Sequence, residues 1–273
     1  QIAAMSTTQV RAFSATNLAA LADTQVAALT ATQLASISTT GGAAMTSTQM
    51  AALTTTQVGA LTAAQVAALT ETSLSALDAT QIGAFTTTQA RAITATQVAA
   101  LTATDVAEFA ETQIANFTTT QVAALTETNV ASLASTQVAA FTAAQMARLT
   151  TDAVSAFDAA QVSALTETQV SALTATQIGA LSSTDVSEFV TTQVAALTGT
   201  QVAALSTTVI SDLQSATISA FAVTQIPSLT TGQLDYLSTT NITAFNSTQL
   251  YAFTSTQVAS LDAAQIEAYL GAL

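Results

Sequence analysis

The sequence predicts an all-α fold, an α-solenoid of very short capped helices with one helix per eight-residue repeat. Three observations predict it. From Ser6 the chain runs in consecutive octads without an insertion or deletion. Two apolar positions recur three residues apart inside each octad. A helix-start signal precedes them every time the repeat is well formed. Self-similarity at a fixed short period is the mark of an array, in which each unit buries its apolar face only against its neighbours.

Octad 1 is residues 6–13 and octad 33 is residues 262–269, with consensus T-x-T-Q-V-A-A-L. Position 1 is Ser, Thr, Asp or Asn in 27 of the 33 octads, and position 4 is Gln in 23. A short oxygen-bearing side chain at position 1 accepts an otherwise unpaired backbone N–H at the start of a helix. A Gln three residues later completes the spacing of a capping box, as in Thr94 with Gln97 and Thr118 with Gln121. Position 5 is Val, Ile, Leu or Met in 31 octads, the exceptions being Gly42 and Ala90. Position 8 is large and apolar in all 33 and holds all ten Phe residues. Residues three apart share a helix face. No charged residue stands at position 5 or 8, so these two positions are expected to face a dry interior. The pattern places a helix of about six or seven residues over positions 2–8, with a new cap at the next position 1.

One long helix does not fit, because an apolar repeat of eight matches neither of the periods that coiled coils accommodate. The competing architecture is a β-solenoid, which Thr and Val favour. Against it stand the three-residue spacing of the buried positions, the abundance of Ala and a total of only eight Gly. The number of octads in one superhelical turn is left open. Isolated helices of this length are unstable in water, so stacked neighbours must supply the remaining stabilisation.

Residues 1–273 read as a single octad array with a few departures. Gly41 and Gly42 mark a weak point near 41–42, either a tolerated weak repeat or a hinge or seam between protofilament contacts. Pro227, at position 6, predicts a local kink or a frayed helix. Octads across 206–253 are degenerate. Val209, Gln214 and Thr217 break the capping pattern, and Tyr236 and Tyr251 stand at outward positions, so the stretch is drift or an assembly surface. The segment 266–273 replaces the expected cap with Leu270 and reads as an end cap or a sticky end. The opening residues QIAAM are positions 4–8 of a further octad.

Composition excludes several chemistries. There are 3 Arg, no Lys and no His, against 16 acids, for a formal charge of −13. Nucleic acids and anionic membrane surfaces need clustered positive charge, so neither is an expected partner. No apolar run is long enough for membrane insertion. Without Cys there is no disulfide frame and no thiolate metal site. Without His, Cys or Lys the common nucleophile–base pairs are missing, so the chain is not expected to be an enzyme. Two groups of acids stand out: Asp105, Glu108 and Glu111, and Asp185 with Glu188. Their spacing is unlike a calcium loop. Asp105 and Asp185 occupy the Gln position and are expected to serve a helix start, while Glu108 and Glu188 are expected to be solvated. No catalytic, cofactor or metal residues are expected, and no cofactor. Recurrent Thr-x-Thr elements such as Thr30–Thr32 and Thr94–Thr96 are read as caps, with a water-, ice- or sugar-facing rank as the alternative.

The stretch Ile93–Asp105, ITATQVAALTATD, resembles the Thr-x-x-Gln-Val-x-x-Leu octads of large secreted or surface repeat proteins of bacteria. The resemblance covers essentially the whole chain. It implies an extracellular or cell-surface stalk, adhesin or filament, and carries no site residues with it. The chain opens at Gln1, which fits a processed secreted chain or a window of a longer one. The indel-free array, low charge and small side chains lead to one expectation: a structural subunit of a filament, sheath or surface layer that forms a homo-oligomer or homopolymer. The alternative is an adhesin stalk or binding module that contacts glycan or ice.

Overall fold

The computed structural model describes all 273 residues and contains helices and no strand. The fold is the α-solenoid of short helices, one every eight residues, and the β-solenoid is not formed. Helices run from Thr7–Arg11 in octad 1 to Ala263–Ala272 in octad 33, and Ile2–Ala4 adds a 3-10 turn before them. The chain forms two compact units, Gln1–Ala140 and Phe141–Leu273.

Each helix is shorter than the sequence pattern implies, four to six residues in all but the last. Position 8 lies outside the helix in every octad but the last. Leu69 has φ −57 and ψ 143, and the following cap residue Thr70 has φ −69 and ψ 155. The Leu69 N–H folds back onto the Val66 carbonyl at 3.2 Å, a tight three-residue closure that ends the helix. Two successive extended residues then turn the chain and drive the position-8 side chain inward. No residue has a positive φ, glycines included, so the corners need no left-handed residue. This is why eight glycines suffice for so many turns.

Within each unit a helix packs on the helix three octads further on. Octad 1 meets octad 4 and octad 2 meets octad 5 in the first unit; octad 22 meets octad 25 and octad 25 meets octad 28 in the second. Positions 5 and 8 form the core as expected: Val66, Val98 and Val202 are fully buried, and Leu69, Leu101 and Leu205 nearly so. Position 4 is buried as well, which the helix-cap reading did not require. No helix is long and apolar enough to cross a membrane.

The departures keep the architecture. Octad 5 still forms a helix, Thr39–Ala43, with both glycines buried. A Cβ on Gly41 would come within 2.5 Å of Leu18 Cδ1 and 2.9 Å of Ile37 Cγ2. A larger side chain from a neighbouring octad thus fills the space that Gln normally takes. Octads 26 and 27 retain helices at Thr207–Asp212 and Ser215–Ala220 despite Val209, Gln214 and Thr217. Pro227 converts its octad into the 3-10 segment Val223–Ser228, as the missing amide predicts. Beyond Tyr269 no cap interrupts the helix, which continues through Leu270.

The caps are those expected. Thr94 Oγ1 accepts the Gln97 N–H at 3.1 Å, and Gln97 Oε1 accepts the Thr94 N–H at 2.7 Å. Where Ala replaces the cap residue, the position-4 N–H turns to the cap carbonyl instead, as in Gln113 to Ala110 at 2.9 Å and Gln137 to Ala134 at 2.9 Å. The hydroxyl is therefore helpful at each octad and dispensable at some. Thr94→Ala should lower the unfolding free energy by about 1 kcal/mol, the usual worth of a hydroxyl cap. Urea denaturation followed by circular dichroism measures it; a loss of several kcal/mol would show that the cap does more than close the helix.

Candidate functional site, a ladder of buried amides

The side chains with the richest chemistry in the molecule are the position-4 glutamines. They lie inside: Gln65 is 1% exposed, Gln89 2% and Gln97 4%. A buried amide is costly unless both its oxygen and its nitrogen are paired. The oxygen serves its own helix. Gln89 Oε1 accepts the Thr86 N–H at 2.7 Å and the Thr86 hydroxyl at 3.0 Å. The nitrogen reaches one turn back along the coil. Gln89 Nε2 donates to the Val58 carbonyl at 2.9 Å and the Leu61 carbonyl at 2.7 Å. Gln97 repeats this on Val66 and Leu69, and in the second unit Gln233 repeats it on Val202 and Leu205.

The recurring partner lies 28 residues back, which is three and a half octads. It is the carbonyl of position 8, the extended residue between two helices. That carbonyl has left the helix ladder and is walled in by the core, so it needs a donor. Gln supplies one, and the same bond fixes the rise from turn to turn. The expectation of a capping box is met for the oxygen; it does not anticipate the nitrogen. A signal for the nitrogen is present in the sequence. Glu closes a capping box as well as Gln does, yet Glu never stands at position 4. A position that excludes Glu and prefers Gln needs a donor.

Shorter side chains at position 4 still reach the same carbonyl. Ser73 Oγ donates to Met45 at 3.0 Å, Asn129 Nδ2 to Leu101 at 2.9 Å and Asn241 Nδ2 to Leu213 at 2.8 Å. Asp105 and Asp185 do the capping half as expected, accepting the Thr102 N–H at 2.9 Å and the Ser182 N–H at 2.7 Å. A carboxylate has nothing to donate to the turn behind.

Glu108 and Glu188 are not the solvated charges that their flank position implies. Each keeps one carboxylate oxygen, Oε2, buried with no hydrogen-bond partner. Position 7 faces position 2 of the octad three earlier, a register shown by Ser132 Oγ donating to the Ala103 carbonyl at 2.9 Å. The same register sets Glu108 beside Asp78 and Glu188 beside Asp158, the cap residues of octads 10 and 20. Burial first, then Asp105, then Asp78 raise the Glu108 pKa above its ordinary value. Burial, Asp185 and Asp158 do the same to Glu188. No group of three or more acidic side chains is arranged to hold a metal ion.

Residues 43–71 match the family model described as ALTTAQ repeat. The description reads directly onto the octads, since Ala60–Gln65 is ALTAAQ and Ala52–Gln57 is ALTTTQ, positions 7, 8 and 1–4. No curated protein matches the chain.

Two outcomes follow from this geometry. Gln89→Leu leaves the Leu61 carbonyl and the Thr86 N–H unpaired in the core and should cost about 2–4 kcal/mol. Gln89→Glu restores the cap and should still cost at least as much at neutral pH, because a carboxylate then opposes the carbonyl. Equal stability of the Glu variant and the parent in chemical denaturation would remove the inter-turn bond from the account. The second outcome concerns pH. Glu108 and Glu188 hold their protons more tightly folded than unfolded. Their contribution is therefore favourable at low pH and is lost as pH rises through their raised folded-state values. Glu108→Gln/Glu188→Gln should raise the melting temperature at neutral pH and reduce the gain in stability seen on mild acidification, read by calorimetry across pH.

Proposed function

We propose that this chain is a structural subunit of an extracellular filament, sheath or surface layer. The observation that carries the reading is the amide ladder. The polar side chains with the most hydrogen-bonding capacity point inward and join turn to turn, so they act on the chain itself. What is left outside is mainly Ala, Thr and Ser, with little charge.

The ladder also supplies a means of assembly. A coil of this register offers amide donors toward one end and position-8 carbonyls toward the other. A second copy stacked end to end would be held by the same amide-to-carbonyl bond and the same apolar positions. Such contact is heterologous and propagates without closing. The excess of negative charge limits lateral clumping. The extracellular setting rests on the likeness of the octads to bacterial surface repeats.

An alternative role as a glycan- or ice-binding stalk draws on exposed position-3 hydroxyls such as Thr56, Thr88 and Thr96. Three and a half octads per turn leave about one such hydroxyl per turn on any side of the coil, a sparse rank, and the structural role is preferred.

Sedimentation of the purified chain over a wide concentration range, with negative-stain microscopy of the same samples, tests the assembly. The expected result is a concentration-dependent series of rods whose length grows in steps of one chain. A strictly monomeric chain at every salt and cation condition overturns assembly, and binding on a glycan array would then favour the stalk.

A further inference from the structure

Ten octads lack Gln at position 4, and their placement follows the coil. In the first unit the residues are Asn17, Gly41, Ser73, Asp105 and Asn129; in the second they are Ala153, Asp185, Val209, Thr217 and Asn241. The amide bonds to the position-8 carbonyls join residues 28 apart, close to one superhelical turn. Asn17, Ser73 and Asn129 follow one another at seven octads, which is two such turns, and so do Asp185 and Asn241. Gly41, Asp105, Ala153, Val209 and Thr217 each fall half an octad from a whole-turn mark, as near as a period of eight allows. Within each unit the missing glutamines therefore lie along one line parallel to the coil axis.

The residues that replace Gln along that line hold the turn behind more weakly, while Gln49 and Gln97, half an octad from it, keep two or three bonds to that turn. Off the line, Gln57, Gln89 and Gln233 each donate to two or three carbonyls of the turn behind. On the line, Ser73, Asn129 and Asn241 each donate to one. Gly41, Ala153 and Val209 have no polar side-chain atom. Asp105 and Asp185 present a carboxylate where the donor belongs, and a buried unpaired oxygen of Glu108 or Glu188 lies in the same octad. We propose that this line is a built-in seam of flexure, along which the turns of each unit part while the Gln-bonded sides stay closed, giving the coil a preferred direction of bending. The seam is a property of the single chain and holds whether or not copies assemble.

Native-state hydrogen exchange on the full chain tests it. Slowly exchanging amides at positions 5 and 8 should lose protection once per turn of the coil. In the first unit the minima should fall on octads 9, 13 and 16, and in the second on octads 19, 23, 26 and 30. Each minimum should exchange about fivefold to tenfold faster than octads midway between. Asp185→Gln supplies the missing donor and should slow exchange in octad 23 by about fivefold while leaving octad 21 unchanged. Protection that is even along the interior octads, or that only declines toward the two ends, overturns the proposal. So does an Asp185→Gln variant that folds normally with unaltered exchange in octad 23.

Discussion

A carbonyl stranded between two helices governs this molecule. A helix of four to six residues cannot bury much, so the chain must leave it quickly and begin another. It does so through two extended residues, and the first of them, position 8, must also carry the large apolar side chain of the core. Its carbonyl is thereby cut off from both helices and from water. An orphan acceptor in that setting weighs against folding by about 1–3 kcal/mol. Repeated at every octad, that cost would exceed the stability of an ordinary domain. The position-4 amide answers it from the next turn, and the superhelical geometry follows. The turn closes where Nε2 meets the carbonyl, 28 residues back.

The two ends of the amide couple local to non-local structure. Oε1 closes the helix that carries it, and Nε2 closes the turn. A helix that frays releases its grip on the turn behind, and a turn that opens leaves the cap amide without its orienting partner. This coupling adds nearest-neighbour cooperativity to the apolar core of positions 5 and 8. It also explains the tolerance of the pattern. Ala at a cap position costs little, since the backbone carbonyl of Ala110 or Ala134 takes over. Ser73 and Asn129 retain the bond to position 8 with a shorter arm. Gly41 gives up the bond, and Leu18 fills the space instead.

Much of this is legible in the sequence because it is local. The octad frame, the burial of positions 5 and 8 and the caps such as Thr94 with Gln97 all follow from spacings within one repeat. The pattern sets the helix ends too far along, since the period does not reveal that Leu69 and its equivalents are extended. The number of octads per turn is not legible from any one repeat, because a contact between one turn and the next sets it. Glu108 and Glu188 mislead for the same reason. Position 7 looks outward from its own helix and is covered by the turn beside it, next to a cap aspartate from octad 10 or 20. The non-local information is nonetheless present in the exceptions. Asn17, Ser73 and Asn129 recur at twice the turn length, a spacing that has no meaning until the turn is known.

An array of identical repeats has no reason to prefer one side of its coil. Here the turn holds three and a half octads, so the same position of the repeat returns to the same side only every second turn. A line of exceptions parallel to the axis then requires substitutions spaced by three or four octads, or by seven if every other turn is skipped. Drift acting independently on each octad has no means of keeping that schedule, whereas a constraint acting on one face of the coil keeps it automatically. The side chains along the line are chemically unlike one another: amide, hydroxyl, carboxylate, methyl and hydrogen. What they share is a weaker hold on the turn behind. The feature that varies along the line is the strength of the link between turns, and a coil whose links are graded around its circumference bends in one direction more readily than in any other.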